Sequence, residues 1–173
     1  PHYSSRRQRQ MCIRDSLAAR GHVPSGLTNV LQTLPKDGHP MDWLSVGIQT
    51  LGMLETTDDW REDSLNLIAR MPRLMGLIFR YREGRGADIA ADDTSKSLVQ
   101  RFVDTVGVDE HLRAKMERVV STYLVLHMDH GGGNLSTFTG KSIASGKATV
   151  YSAIAGAMNA LSGPLHGRAN QSC

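Results

Sequence analysis

An all-α fold is what this sequence predicts, in the form of a multi-helical body whose elements demand more burial than they can offer one another. Three observations carry that reading. Apolar residues recur at spacings of three and four through most of the chain, which is the period of an amphipathic helix. Helix start and stop residues stand at the ends of those stretches. No stretch alternates apolar and polar residues for long enough to read as a strand.

Residues 1–16 carry Arg6, Arg7, Arg9 and Arg14 against Asp15, and are expected to be a basic tail, disordered or foreign to the natural chain. Pro35 to His39 reads as a turn, and Pro40 suits a first helical position, where a missing N–H costs nothing. Met41, Leu44, Ile48 and Leu51 then fall on one helical face. Asp59 and Glu62 form a capping-box pattern at the head of a longer helix. That helix is apolar nearly all round through Leu65, Leu67, Ile68, Met71, Leu74, Met75, Leu77 and Ile78, so it expects burial in a large body or against a partner. Pro72 should kink it or start a new segment.

Gly84 and Gly86 close this element. A polar stretch from Ala87 to Ser95 leads to a short amphipathic helix using Leu98, Phe102, Val103 and Val106, with Gly107 as its C-terminal stop. Asp109 opens the next helix, which uses Leu112, Met116, Val119, Val120, Tyr123 and Leu124 and is expected to deliver His127 and His130 at its end. Ser136 to Ser145 and Thr149 to Leu161 read as two further helices. The last is rich in small residues, which permit close helix approach.

Composition narrows the function. With 20 Lys and Arg against 17 Asp and Glu overall, setting aside the tail leaves 16 of each. A neutral body offers phosphate backbones no broad footprint, so no nucleic-acid partner is expected. No apolar run approaches the ~20 residues that span a bilayer, and no membrane partner is expected either. Cys12 and Cys173 stand near opposite ends and read as two free thiols in a reducing compartment.

Two polar constellations carry the chemistry. In His127-Met128-Asp129-His130-Gly131-Gly132-Gly133-Asn134, the two histidines lie three apart and would share one helical face. Three successive glycines imply a backbone that bends or approaches something closely. A plain alternative is a polar helix end with a flexible cap. A zinc site would need the distant His166 to join the pair, and no Glu stands beside them as in a zinc-hydrolase helix; the metal expectation is none. In Gly163-Pro164-Leu165-His166-Gly167, the proline stops the preceding helix and the glycines leave the imidazole uncrowded. Such a ring can donate a proton or a hydrogen bond near neutral pH. His22, His39 and His111 take no role, Lys141 and Lys147 read as solvated lysines, and the run Arg80 to Arg85 is a weak RNA signal.

Taken in order, these blocks resemble citrate synthase, from about Leu31 to Gln171. His39-Pro40-Met41, Tyr81-Arg82-Glu83-Gly84, the His127–Thr137 block and Ala157–Gln171 around His166 are all similar to family landmarks. The resemblance implies that residues 17–173 are part of the large helical domain, incomplete. It implies condensation of acetyl-CoA with oxaloacetate to give citrate and CoA, with His166 donating to the thioester oxygen. His130 and Asn134 would bind oxaloacetate, with His127 a further candidate for that pocket. No cofactor is implied, because the coenzyme A thioester is a substrate. The family's base, an aspartate, and its second histidine would follow Cys173, so the chain alone is expected to be inactive. The resemblance further implies a homodimer through the large domain, and a place in the cytoplasm or the mitochondrial matrix, the cytoplasm favoured. Two alternatives stay open: a 2-methylcitrate synthase using propionyl-CoA, and a non-catalytic helical interaction module.

Overall fold

The structure is a computed structural model, and it describes residues 2–86, 88–89, 91–128 and 131–171. Among them are eight α-helices, one short 3-10 turn and no strand, the all-α class the sequence predicts. The helices are α1 (His2–Ala19), α2 (Ser25–Thr33), α3 (Pro40–Glu55), α4 (Trp60–Arg82), α5 (Leu98–Val106), α6 (Glu110–Leu126), α7 (Leu135–Ser145) and α8 (Val150–Leu161).

Two of these lie outside the sequence reading. Helix α1 runs through the segment expected to be a disordered tail. The segment holds Arg, Gln, Met and Ala and no internal glycine or proline, so nothing local opposes a helix. Arg20, just beyond α1, donates to Glu62 at 2.6 Å and to Asn66 at 2.9 Å, tying this end to α4. Helix α2 buries Leu27 and Leu31 completely, an i, i+4 pair that was there to be read.

The core lies where α3, α4, α2 and α8 meet. Trp43, Leu44, Ile48 and Leu51 of α3 pack with Leu67, Leu74, Leu77 and Ile78 of α4 and with Tyr151 of α8. Pro40 occupies the first turn of α3, as expected, and His39 caps it by accepting the Met41 N–H at 3.2 Å. Asp59 caps α4 by accepting the Arg61 N–H at 2.8 Å. The anticipated capping box does not close, because Glu62 turns instead to Arg20. Pro72 sits inside α4 without ending it; the helix continues to Arg82. Burial of Leu67, Leu74 and Leu77 on one face outweighs the single ladder bond that proline removes.

Arg101 of α5 is buried and forms a bidentate pair with Asp92, which also takes Arg73 at 3.2 Å. The Arg80–Arg85 run is spent on the backbone rather than left for a polyanion. Arg80 donates to the carbonyls of Gly86 and Asp88, Arg82 to Gly38 and Arg85 to Val106. Helix α5 is closed by Gly107 at φ 73°, a left-handed stop as read from the sequence.

Helix α8 lies antiparallel on α3 through three polar bonds. Ser45 donates to the Ala155 carbonyl at 3.3 Å, Gln49 to Ser152 at 3.4 Å, and the Tyr151 hydroxyl to Glu55 at 3.2 Å. Helix α7 folds back on α8 as a hairpin, closed by a turn at Gly146 and Lys147. Helix α6 buries no residue at all.

Candidate functional site

The α7–α8 hairpin brings two of the expected site residues together. Asn134 is the N-cap of α7: its Oδ1 accepts the Thr137 N–H at 2.9 Å and the Ser136 hydroxyl at 2.7 Å. Its amide nitrogen donates to the Gly131 carbonyl at 2.9 Å. A backbone N–H can only donate, so the oxygen of this amide is the atom that faces the helix. The sequence placed Asn134 in a binding block; the structure shows that it also starts the helix.

His166 follows α8 in a tight turn. Its own N–H donates to the Gly163 carbonyl at 3.0 Å, and its carbonyl accepts the Ala169 N–H at 3.1 Å. The ring reaches across the hairpin to the first turn of α7. There Nε2 lies 3.3 Å from the Ser136 nitrogen and 3.2 Å from the Ser136 hydroxyl oxygen. The hydroxyl proton is already committed to Asn134, and the Ser136 N–H can only donate. Nε2 is therefore the bare, accepting nitrogen, and the ring proton of the neutral imidazole sits on Nδ1.

Ser136 is the residue the sequence reading missed. It is quoted there inside a family block and given no role, yet it joins Asn134 to His166 and is buried. A signal existed in the Asn-x-Ser spacing, which puts a serine N–H in the exposed first turn of a capped helix. What it donates to is a long-range fact, 30 residues away. Beside this relay a cleft of about 520 Å³ runs between α7 and α8, lined by Ser136, Thr137, Lys141, Ala157, Met158 and Leu161.

His127 stands apart from this relay. His127 is the residue after α6, at the helix end to which the sequence assigned it. Among the described residues it meets its own helix end: Nδ1 lies 2.8 Å from the Tyr123 carbonyl, and the ring stacks on Tyr123 at 4.0 Å. His130, the candidate oxaloacetate ligand, lies outside the described residues. Among the described residues, no group of three His, Cys, Asp or Glu side chains converges so as to hold a metal ion, and no helix is long and apolar enough to cross a membrane.

Comparison with known proteins adds to this geometry. The family model described as citrate synthase, C-terminal domain, matches residues 5–173, reaching into the segment that the motifs left unmatched. The chain is 33% identical over 169 residues to the mitochondrial citrate synthase of Daucus carota, covering 90% of this chain and 35% of that one. It is 31% identical to the peroxisomal citrate synthase of Saccharomyces cerevisiae over 171 residues, with 36% of that protein covered. The chain thus spans about a third of the length of the curated relatives it matches. Among solved structures, citrate synthase from Thermotoga maritima matches with a TM-score of 0.72 at 27% identity, covering 92% of this chain and 41% of that one. A citrate synthase from Thermoplasma acidophilum, in ternary complex with carboxymethyl coenzyme A and oxaloacetate, shares the fold with a TM-score of 0.78 at 22% identity, with 95% and 44% covered.

Proposed function

Because the chain belongs to the citrate synthase family, we propose that residues 17–173 are part of a large helical domain that helps condense acetyl-CoA with oxaloacetate into citrate and CoA. The observation that carries the proposal is the Ser136 N–H on Nε2 of His166. A thioester methyl group is a very weak carbon acid. A carboxylate can remove its proton only if the charge that develops on the carbonyl oxygen meets a donor already in place. The bare Nε2 puts such a donor at Nδ1. The ring is oriented before substrate arrives, because the Ser136 backbone and the turn at Gly163 both hold it.

Asn134 and His130 are the proposed oxaloacetate ligands, with His127 at the edge of the same pocket. The base is an aspartate of the family pattern that would follow Cys173, so residues 1–173 by themselves are proposed to give no turnover. Exposed apolar side chains, Met53 and Leu54 of α3, Ile68 and Phe79 of α4 and Phe138 of α7, support a homodimer through this domain. Relatives occur in mitochondria and peroxisomes, and a matrix or cytoplasmic setting is proposed for this chain.

The test is citrate formation by the product of the complete gene, beside its His166→Gln variant. Loss of one preorganised donor is expected to lower kcat by about 10²- to 10³-fold with little change in KM for oxaloacetate. An unchanged kcat would remove His166 from the chemistry. Citrate formed by residues 1–173 alone would show that the base lies within them.

A further inference from the structure

The turn that carries His166 has a glycine on each side, and the sequence gives no reason to tell them apart. Neither is needed for its backbone dihedral: the positive-φ glycines among the described residues are Gly84, Gly86 and Gly107. Space separates the two. A Cβ at Gly163 would lie 3.4 Å from the Ala160 carbonyl oxygen, the edge of ordinary contact. A Cβ at Gly167 would lie 2.6 Å from Leu161 Cδ1, 2.7 Å from its Cγ and 2.8 Å from its carbonyl oxygen. The carbonyl belongs to the last turn of α8 and cannot step aside as a side-chain tip can.

We propose that Gly167 is a positioning residue for His166: its bare Cα lets the chain fold back onto Leu161, and that close approach holds the imidazole at the Ser136 N–H. The link is short. His166 and Gly167 share a peptide unit, and the turn is braced on both sides, by His166 N–H to Gly163 and by Ala169 N–H to the His166 carbonyl. At 3.3 Å the bond from Ser136 is already at the long end for an N–H donor. A retreat of a few tenths of an ångström at Gly167 therefore suffices to break it. Gly163 is the tolerant member of the pair. The functional meaning of this placement rests on the proposed donor role of His166, but the placement itself can be read without substrate.

The test is solid-state nuclear magnetic resonance of the chain labelled with ¹⁵N-histidine, a method indifferent to self-association. The His166 ring signals are assigned by their loss in His166→Gln. At a pH of about 8.5, above the ordinary histidine range, the unmodified chain should show protonated Nδ1 and bare Nε2. In Gly167→Ala the ring should shift to a mixture of tautomers, and Ser136 amide exchange should quicken about tenfold. Gly163→Ala should match the unmodified chain. Retention of the single tautomer in Gly167→Ala would overturn the proposal, as would an equal loss in Gly163→Ala. Loss of helical circular dichroism in Gly167→Ala would also overturn it, since the glycine would then serve the fold. If the tautomer shifts as expected while His166→Gln keeps its rate in the complete enzyme, the positioning stands and the catalytic assignment falls.

Discussion

Asn134 does two jobs with one amide: it starts α7 and it takes the hydroxyl proton of Ser136, which leaves the Ser136 N–H as the donor to His166. Replacing it by alanine removes the cap, a change of about 1 kcal/mol. That corresponds to roughly fivefold faster amide exchange at Thr137. Asn134→Asp keeps the accepting oxygen and should restore protection; exchange rates for the pair check this, and equal rates in both variants would deny the cap. At this scale the residue types were legible. Histidine in a proline-stopped turn and asparagine ahead of a helix both announce themselves locally. The tautomer was not legible, because it depends on a donor that the chain brings in from another helix.

Helices α3, α4 and α8 meet at a buried polar joint, and Glu55 is its centre. Its carboxylate takes the Tyr151 hydroxyl from α8 and Arg70 from α4 at 2.9 Å, with Asp63 of α4 and His22 of the α1–α2 connection nearby. Burial raises its pKa above the ordinary carboxyl value, and Arg70 and Tyr151 offset this only in part. The sign follows from the folded form holding its proton more tightly than the unfolded chain does. The contribution to stability is therefore full below about pH 4.3 and is lost as pH rises through the raised folded value. Glu55→Gln removes that term. Denaturant midpoints from pH 4 to 7 should decline more for the unmodified chain than for the variant, and the opposite difference would sink the assignment. Gly52 belongs to the same joint, since a Cβ there would meet Tyr151 Cβ at 2.6 Å. Element positions were largely legible from periodicity and caps, from α3 to α8. The joint was not, because a tyrosine opening one helix says nothing of a glutamate ending another.

As a whole, the molecule leaves a large apolar surface in water. Helix α6 buries nothing, and Leu126, Met53 and Phe138 are 74%, 73% and 67% exposed. Asp104 of α5 pairs with Arg113 of α6 and also takes Lys96, just ahead of α5, at 2.8 Å. Burial works against the Asp104 carboxylate, and the two cations still hold its pKa below the usual range. A surface of this kind predicts self-association of the purified 173-residue chain at micromolar concentration. Sedimentation velocity checks it, and a monodisperse monomer that melts cooperatively would contradict it. The all-helical class, the burial demand of α4 and the two chemistry-bearing blocks were determined by the sequence alone, because helical period, caps and turn residues act over four or five positions. Tertiary structure alone decided that Ser136 meets His166, that Gly167 matters more than Gly163, and that His127 rests on its own helix. Each of those depends on how close two backbones come, and that distance is set by packing between elements rather than by any one of them.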